Sequence, residues 1–205
     1  CSSDLALNRW MQEQVLHAAL TLPKIDGEAE SDYLARIWRD SREQANKATA
    51  RGTAIHAAVQ SHYEGQTPLD EHMAFVSAAK SALDAWAQTE WTVERSFACS
   101  AGYGGKVDIS SNKFIADFKT KEFDKDKLPE PYDEHAMQLA AYRNGLGASG
   151  ARCAIVFISV SVPGLAHLVE VPEEELQRGW DCFGGLLAYW QAKNDYRPSF
   201  DKKAE

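Results

Sequence analysis

The segment Phe114-Ile115-Ala116-Asp117-Phe118-Lys119 constrains the fold of this chain more than any other stretch. Its apolar residues stand at consecutive rather than alternating positions, which is the pattern of a strand covered on both faces. Asp117 interrupts that run. A carboxylate there is costly to bury unless a cation or a lysine compensates it. Lys119, two residues on, points to the same side of a strand because side chains repeat with period two. A purely structural contact between Asp117 and Lys119 would meet the same need. Upstream, Asp108 sits between Val107 and Ile109, and the glycines at 104 and 105 permit a tight turn or a close approach of backbone. Two carboxylates and a lysine are thereby expected at the tips of adjacent strands.

Hydrolysis of a phosphodiester needs a hard cation that neutralises charge on the phosphorane and lowers the pKa of the attacking water, and carboxylate oxygens bind Mg²⁺ or Mn²⁺. Asp108 and Asp117 can supply such oxygens. Their spacing with Lys119 resembles the PD-(D/E)XK nucleases, and the surrounding residues resemble the RecB-like branch, to which many phage recombination exonucleases belong. Gly52-Thr53-Ala54-Ile55-His56 looks like the branch's helix with a metal-binding histidine. Glu94 matches the acidic residue often found before the first core strand, and Gln138-Leu139-Ala140-Ala141-Tyr142 matches the Gln-x-x-x-Tyr helix. The likeness runs from about Gly52 to Tyr142 and is weaker over the N-terminal helices.

This resemblance implies an α/β fold with a restriction-endonuclease-like core: a central mixed sheet flanked by helices, with extra N-terminal helices. It also implies roles. His56, Asp108, Asp117 and the backbone carbonyl of Phe118 would bind one or two divalent cations, and Lys119 would orient or activate the attacking water. Gln138 and Tyr142 would contact phosphate oxygens or hold Lys119 and the carboxylates in place. Glu94 would act from behind, through water or by bracing Lys119 or an arginine.

The residues themselves admit plainer readings. His56 lies among Ala54, Ile55, Ala57, Ala58 and Val59, which sets its helix against the core and leaves the imidazole in need of a partner. His17, His62, His72, His135 and His167 have no comparable context. Gln138 and Tyr142 are four apart on an expected helix, so they share a face. Asp133 is the expected N-cap of that helix and Gly145 or Gly147 its stop. An amphipathic helix with two polar residues by chance is the alternative.

A formal net charge of −8 is awkward for a DNA-binding protein, because basic residues supply most nonspecific affinity. Local clusters remain. Arg36, Arg39, Arg42, Lys47 and Arg51 lie on or after one expected helix, and Lys119, Lys121, Lys125 and Lys127 follow the active strand. Arg39, Arg51 and Lys121 are candidate DNA contacts, a solvated helix face being the bland reading of the first group. Trp10, beside Arg9, is a candidate for stacking on an unpaired end, whereas Trp38, Trp86 and Trp91 are expected in the core.

The 205 residues suffice for one domain, read as a helical elaboration over 1–50 and a catalytic core over 51–193. Helices are expected over 4–20, 29–47, around His56, 71–89 and 172–193, the last burying Leu176, Trp180, Phe183, Leu187 and Trp190, with Pro172 in its first turn. Strands are expected over 92–99, 104–110, 113–120, 154–160 and 166–171, and a Lys-, Asp- and Pro-rich loop over 122–131. The scattered cysteines at 1, 99, 153 and 182 form no CxxC pair, which argues for a reduced, intracellular protein, and the resemblance implies the cytoplasm of a bacterium or phage-infected host. The chain also lacks the C-terminal cysteine trio of those RecB-like nucleases that hold an iron–sulfur cluster, so no cluster is expected. No apolar run is long enough to span a membrane, no signal-peptide pattern is present, and the opening Cys1 suggests a trimmed N-terminus.

The leading expectation is a divalent-metal-dependent DNA exonuclease of phage-type recombination or DNA-end processing. A single-strand annealing or recombination protein is a candidate partner, and a homo-oligomer stays open. The alternatives are a structure-selective or single-strand endonuclease, and a catalytically silent binding module. The absence of a P-loop, GxGxxG or GxSxG argues against other α/β enzymes.

Overall fold

The structure, a computed structural model, describes residues 2–198, with side chains from Asn8 onward. Two compact units are present, Cys1–Ala54 and Ile55–Glu205. The first contains α1 (Ser2–Thr21) and most of α2 (Glu30–Tyr63), joined by a turn in which Gly27 takes a positive φ. Tyr33 secures this turn by donating its hydroxyl to the carbonyls of Ala19 and Leu22 at 3.2 and 3.0 Å. The helix expected over 29–47 and the helix of His56 are one continuous element. Residues 48–54 contain no proline, and their single glycine, Gly52, is tolerated in a helix interior at about 1 kcal/mol. Trp38 is 54% exposed rather than buried in the core.

In the second unit a five-stranded mixed sheet has the order β1 (Thr92–Cys99), β2 (Tyr103–Ser110), β3 (Phe114–Lys121), β4 (Arg152–Ser159), β5 (Ala166–Val171). Only β3 and β4 run parallel. The helix α4 (Asp133–Gly145) makes the crossover between them, as a parallel connection requires. This is a mixed sheet flanked by helices, the coarse architecture expected above. Alternation along β3 and β4 splits the core in two. Ala116, Phe118, Val156 and Ile158 pack with Ile55 and Val59 of α2 and with α3 (Met73–Trp86). Ile115, Cys153, Ile155 and Phe157 pack on the other face with Ala136 and Leu139 of α4 and with Leu176 of α5 (Glu173–Lys193). Asp117 and Lys119 therefore point to the α4 side.

Several local expectations shift. The N-cap of α4 is Tyr132, with Asp133 already helical, and Pro172 is the N-cap of α5 rather than part of its first turn. A short 3-10 turn over Asp70–His72 precedes α3, which ends at Trp86. Trp86 and Trp91 are partly buried and stack on each other at 6.3 Å. In α5 only Leu176 and Gly179 are buried; Trp180, Phe183 and Leu187 are partly exposed and Trp190 is exposed, so the apolar stripe is not a core face. No helix among the described residues is long and apolar enough to cross a membrane. Cys99, Cys153 and Cys182 are free thiols.

Two features of α4 lead to predictions. A Cβ at Gly179 would lie 2.6 Å from the backbone carbon of Ala136, whereas one at Gly184 would meet nothing within 4 Å. Gly179→Ala should thus cost about 1–3 kcal/mol by forcing α5 off α4, while Gly184→Ala should be neutral or stabilising by up to about 1 kcal/mol. Urea midpoints of the two variants measure the contrast. The second feature is His135, whose Nδ1 accepts from the Tyr132 N–H at 3.0 Å. Burial, and then the cations of Lys119 and Lys121, push its pKa down to about 4. Between about pH 6.5 and that value the unfolded chain binds a proton that the folded chain excludes, so stability falls as pH falls through this window. Gln at this position of a helix can make the same cap while remaining uncharged. His135→Gln should flatten the dependence of the urea midpoint on pH over that range.

Candidate active site

Three acidic side chains stand in a row across three strands. The register of β1 and β2 places Glu94 opposite Asp108, and that of β2 and β3 places Asp108 opposite Asp117, yet neither position forms a regular ladder pair. Directly opposed residues of antiparallel strands share a face, so the row lies along one line of the sheet. The strands part here for a visible reason. Glu94 takes φ +54, a left-handed conformation that costs a non-glycine residue about 1–3 kcal/mol. Alternation breaks at the same place: Val107 and Ile109 are two apart but lie in opposite core clusters. Asp108 occupies the resulting gap, where its Oδ2 accepts from the Phe118 N–H at 2.8 Å.

Asp117 is 2% exposed. Lys119 Nζ pairs with its Oδ2 at 2.7 Å, and no other donor meets this buried oxygen. Burial pushes the Asp117 carboxyl up, the charge of Lys119 opposes this, and Asp108 adds to it. Lys119 also donates to Gln138 Oε1 at 3.0 Å, and Gln138 Nε2 donates to the Tyr142 hydroxyl at 2.6 Å. A single chain of contacts thus runs from Asp117 through Lys119 and Gln138 to Tyr142. Burial raises Tyr142 to about 12, which keeps its hydroxyl protonated and able to donate onward. Gly105 lets the β2 backbone pass close to the Tyr142 and Phe97 rings, since a Cβ there would lie 3.2 and 3.0 Å from them.

His56 Nδ1 is 3.7 Å from Asp108 Oδ2, beyond hydrogen-bond reach, and its ring meets Phe118 edge-on at 6.1 Å. Burial lowers its pKa against the pull of Asp108, which favours the neutral imidazole, the form whose lone pair can bind a metal. Glu94 is ion-paired with Lys106, a residue the sequence reading left without a role. No sequence signal marks this pairing, because it depends on the left-handed backbone at Glu94.

The structure brings together His56, Asp108, Asp117, Phe118, Lys119, Gln138 and Tyr142, with Glu94 opposite Asp108, all in the second unit. Lys121 lies two residues past Lys119, where it donates to the Tyr132 hydroxyl at 2.6 Å and sits over that ring. Arg39, Arg51 and Trp10 belong to the first unit. Of the basic cluster there, Arg36 is held by Glu28 at 2.9 Å and Lys47 by Glu43 at 2.8 Å, which supports the bland reading for those two.

Among the described residues no three His, Cys, Asp or Glu side chains are close enough to enclose an ion as they stand. The donor chemistry nonetheless fits a hard divalent cation. The Asp117 carboxylate is buried beside Lys119, Asp108 is near enough to raise its pKa, and the His56 ring stands 3.7 Å from Asp108 Oδ2.

No family model and no curated protein sequence matches the chain. A solved structure described as "Crystal structure of SSO0001" is similar to it, with 15% identity, 97% of this chain and 91% of that chain covered, and a TM-score of 0.39.

Proposed function

We propose that this chain is a divalent-metal-dependent deoxyribonuclease, an exonuclease acting in phage-type recombination or DNA-end processing. The observation that carries the reading is the buried carboxylate of Asp117 at the head of a polar chain through Lys119 and Gln138 to Tyr142. Asp117 is buried with Lys119 as its cation, and Gln138 joins that lysine to Tyr142, a continuous polar chain that packing alone would not require. Asp108, Asp117, His56 and the Phe118 carbonyl are the residues that would hold Mg²⁺ or Mn²⁺.

When bound, such a cation supplies charge neutralisation and acidifies the attacking water. The chain's own groups do the rest. Lys119, anchored by Gln138, presents a compact positive charge to the attacking water and to the phosphorane oxygens. Tyr142, whose hydroxyl oxygen accepts from Gln138, keeps its own proton for a phosphate oxygen. The Phe118 N–H fixes Asp108, and Lys106 neutralises Glu94 at the edge of the site.

The test is digestion of matched linear and covalently closed circular DNA with Mg²⁺, Mn²⁺ or EDTA. Metal-dependent loss of linear DNA alone is expected, because an exonuclease needs an end. Cutting of circles would make the same residues an endonuclease, and no cutting under any condition would leave a binding module.

A further inference from the structure

A groove opens beside the site, between the β1–β2 hairpin, α4 and α5, and encloses about 550 Å³. Its walls are aromatic and aliphatic: Tyr103, Met137, Tyr142, Phe183, Leu187 and Trp190. They are tied together from several directions. The Tyr103 hydroxyl donates to the Ala141 carbonyl at 3.2 Å, its ring meets Phe183 edge-on at 4.8 Å, and Gln191 donates to the Ala101 carbonyl at 2.7 Å. The groove is therefore largely preformed. Trp190 is 50% exposed and the neighbouring Leu186 56%, a large apolar commitment at a surface.

Its chemistry narrows what can fill it. No Lys or Arg lines it, so it offers a backbone phosphate no cation; its polar side-chain groups are Glu134, the amide of Gln138 and the hydroxyls of Tyr103 and Tyr142. A planar group with apolar faces and hydrogen-bonding edges matches aromatic walls that carry one carboxylate and one amide. Gln138 and Tyr142 belong both to this wall and to the chain that starts at Asp117, so a ligand in the groove adjoins the proposed scissile phosphate. The net charge of −8 adds a reason for such a subsite, since it weakens the general attraction of phosphates.

Resting on the nuclease reading above, we propose that this groove receives an unpaired nucleobase of the strand whose phosphate lies at Lys119, stacked on Trp190 and its aromatic neighbours. Bases in an intact duplex are already stacked and paired, so the substrate class is DNA with a single-stranded end.

Binding can be measured apart from cutting, by anisotropy of a labelled oligothymidylate and of an abasic oligomer of the same length and charge, with the full chain in EDTA. Oligothymidylate should bind roughly tenfold or more tightly, the scale of base–aromatic stacking. Trp190→Leu should remove most of that difference without weakening abasic binding, and Trp190→Phe should restore it. Equal affinity for the two oligomers, no binding of either, or an unchanged preference in Trp190→Leu would each overturn the proposal. Base-independent binding would instead suit the groove to an apolar protein segment. Failure of the nuclease reading would show separately, as base-dependent binding without metal-dependent hydrolysis.

Discussion

Asp117→Asn should lower metal-dependent DNA hydrolysis by at least about a thousand-fold while leaving the protein as stable as before, or more so. The two halves of this expectation share one cause. The Asp117 carboxylate is stripped of water, one of its oxygens is met only by Lys119, and burial raises its pKa. A carboxyl raised in the folded state is stabilised by protonation, so its contribution is favourable at low pH and is lost as pH rises through the folded value. Asn imitates the protonated form at every pH. The amide still fits beside Lys119, which keeps Gln138 as an acceptor. Lys119→Ala should behave oppositely on stability, because it strands the buried carboxylate without its cation, while also abolishing turnover. Thermal midpoints and digestion of linear DNA, measured on the same preparations, separate the two variants. An Asp117→Asn protein that still cuts at near-normal rate would end the assignment, and one that neither cuts nor folds would show that the carboxylate is structural.

Phe157→Ala should cost about 3–5 kcal/mol, a large part of the roughly 5–15 kcal/mol that holds a domain folded. Phe157 is 1% exposed, pairs in register with Lys119 across β3 and β4, and meets the His135 ring edge-on at 5.9 Å. Its ring fills the space between the sheet and α4, which also carries Gln138 and Tyr142. Removing it leaves a cavity that the flanking Ile155, Leu139 and Val171 cannot close without moving α4. Phe157→Leu, which keeps most of the volume, should cost less than about 1.5 kcal/mol. Urea midpoints measure both. Loss of DNA hydrolysis should track the displacement of α4 more than the loss of stability, so a folded Phe157→Leu protein should remain active. Equal stability of Phe157→Ala and wild type would show that α4 is not held by this contact.

The sequence by itself determined the parts of this protein that depend on local periodicity. The apolar run around Asp117 marks β3 as a strand buried on both faces, and Ile115, Ala116, Asp117 and Phe118 are indeed all buried. The four-residue spacing of Gln138 and Tyr142 places them on one helix face, where they are hydrogen-bonded to each other. The two-residue spacing of Asp117 and Lys119 makes them partners. Tertiary structure alone decided the rest. Glu94 stands opposite Asp108 at a point where its backbone turns left-handed and the ladder is interrupted, a conformation that nothing in a non-glycine residue announces. The α5 stripe of Trp180, Phe183, Leu187 and Trp190 has the periodicity of a core face, and that pattern is the same whether the face meets a sheet or borders a groove. What it meets depends on how closely α5 can approach α4, and Gly179, lying against the Ala136 backbone, permits a close approach. Local spacing specifies which residues share a face; only packing specifies what that face is turned toward.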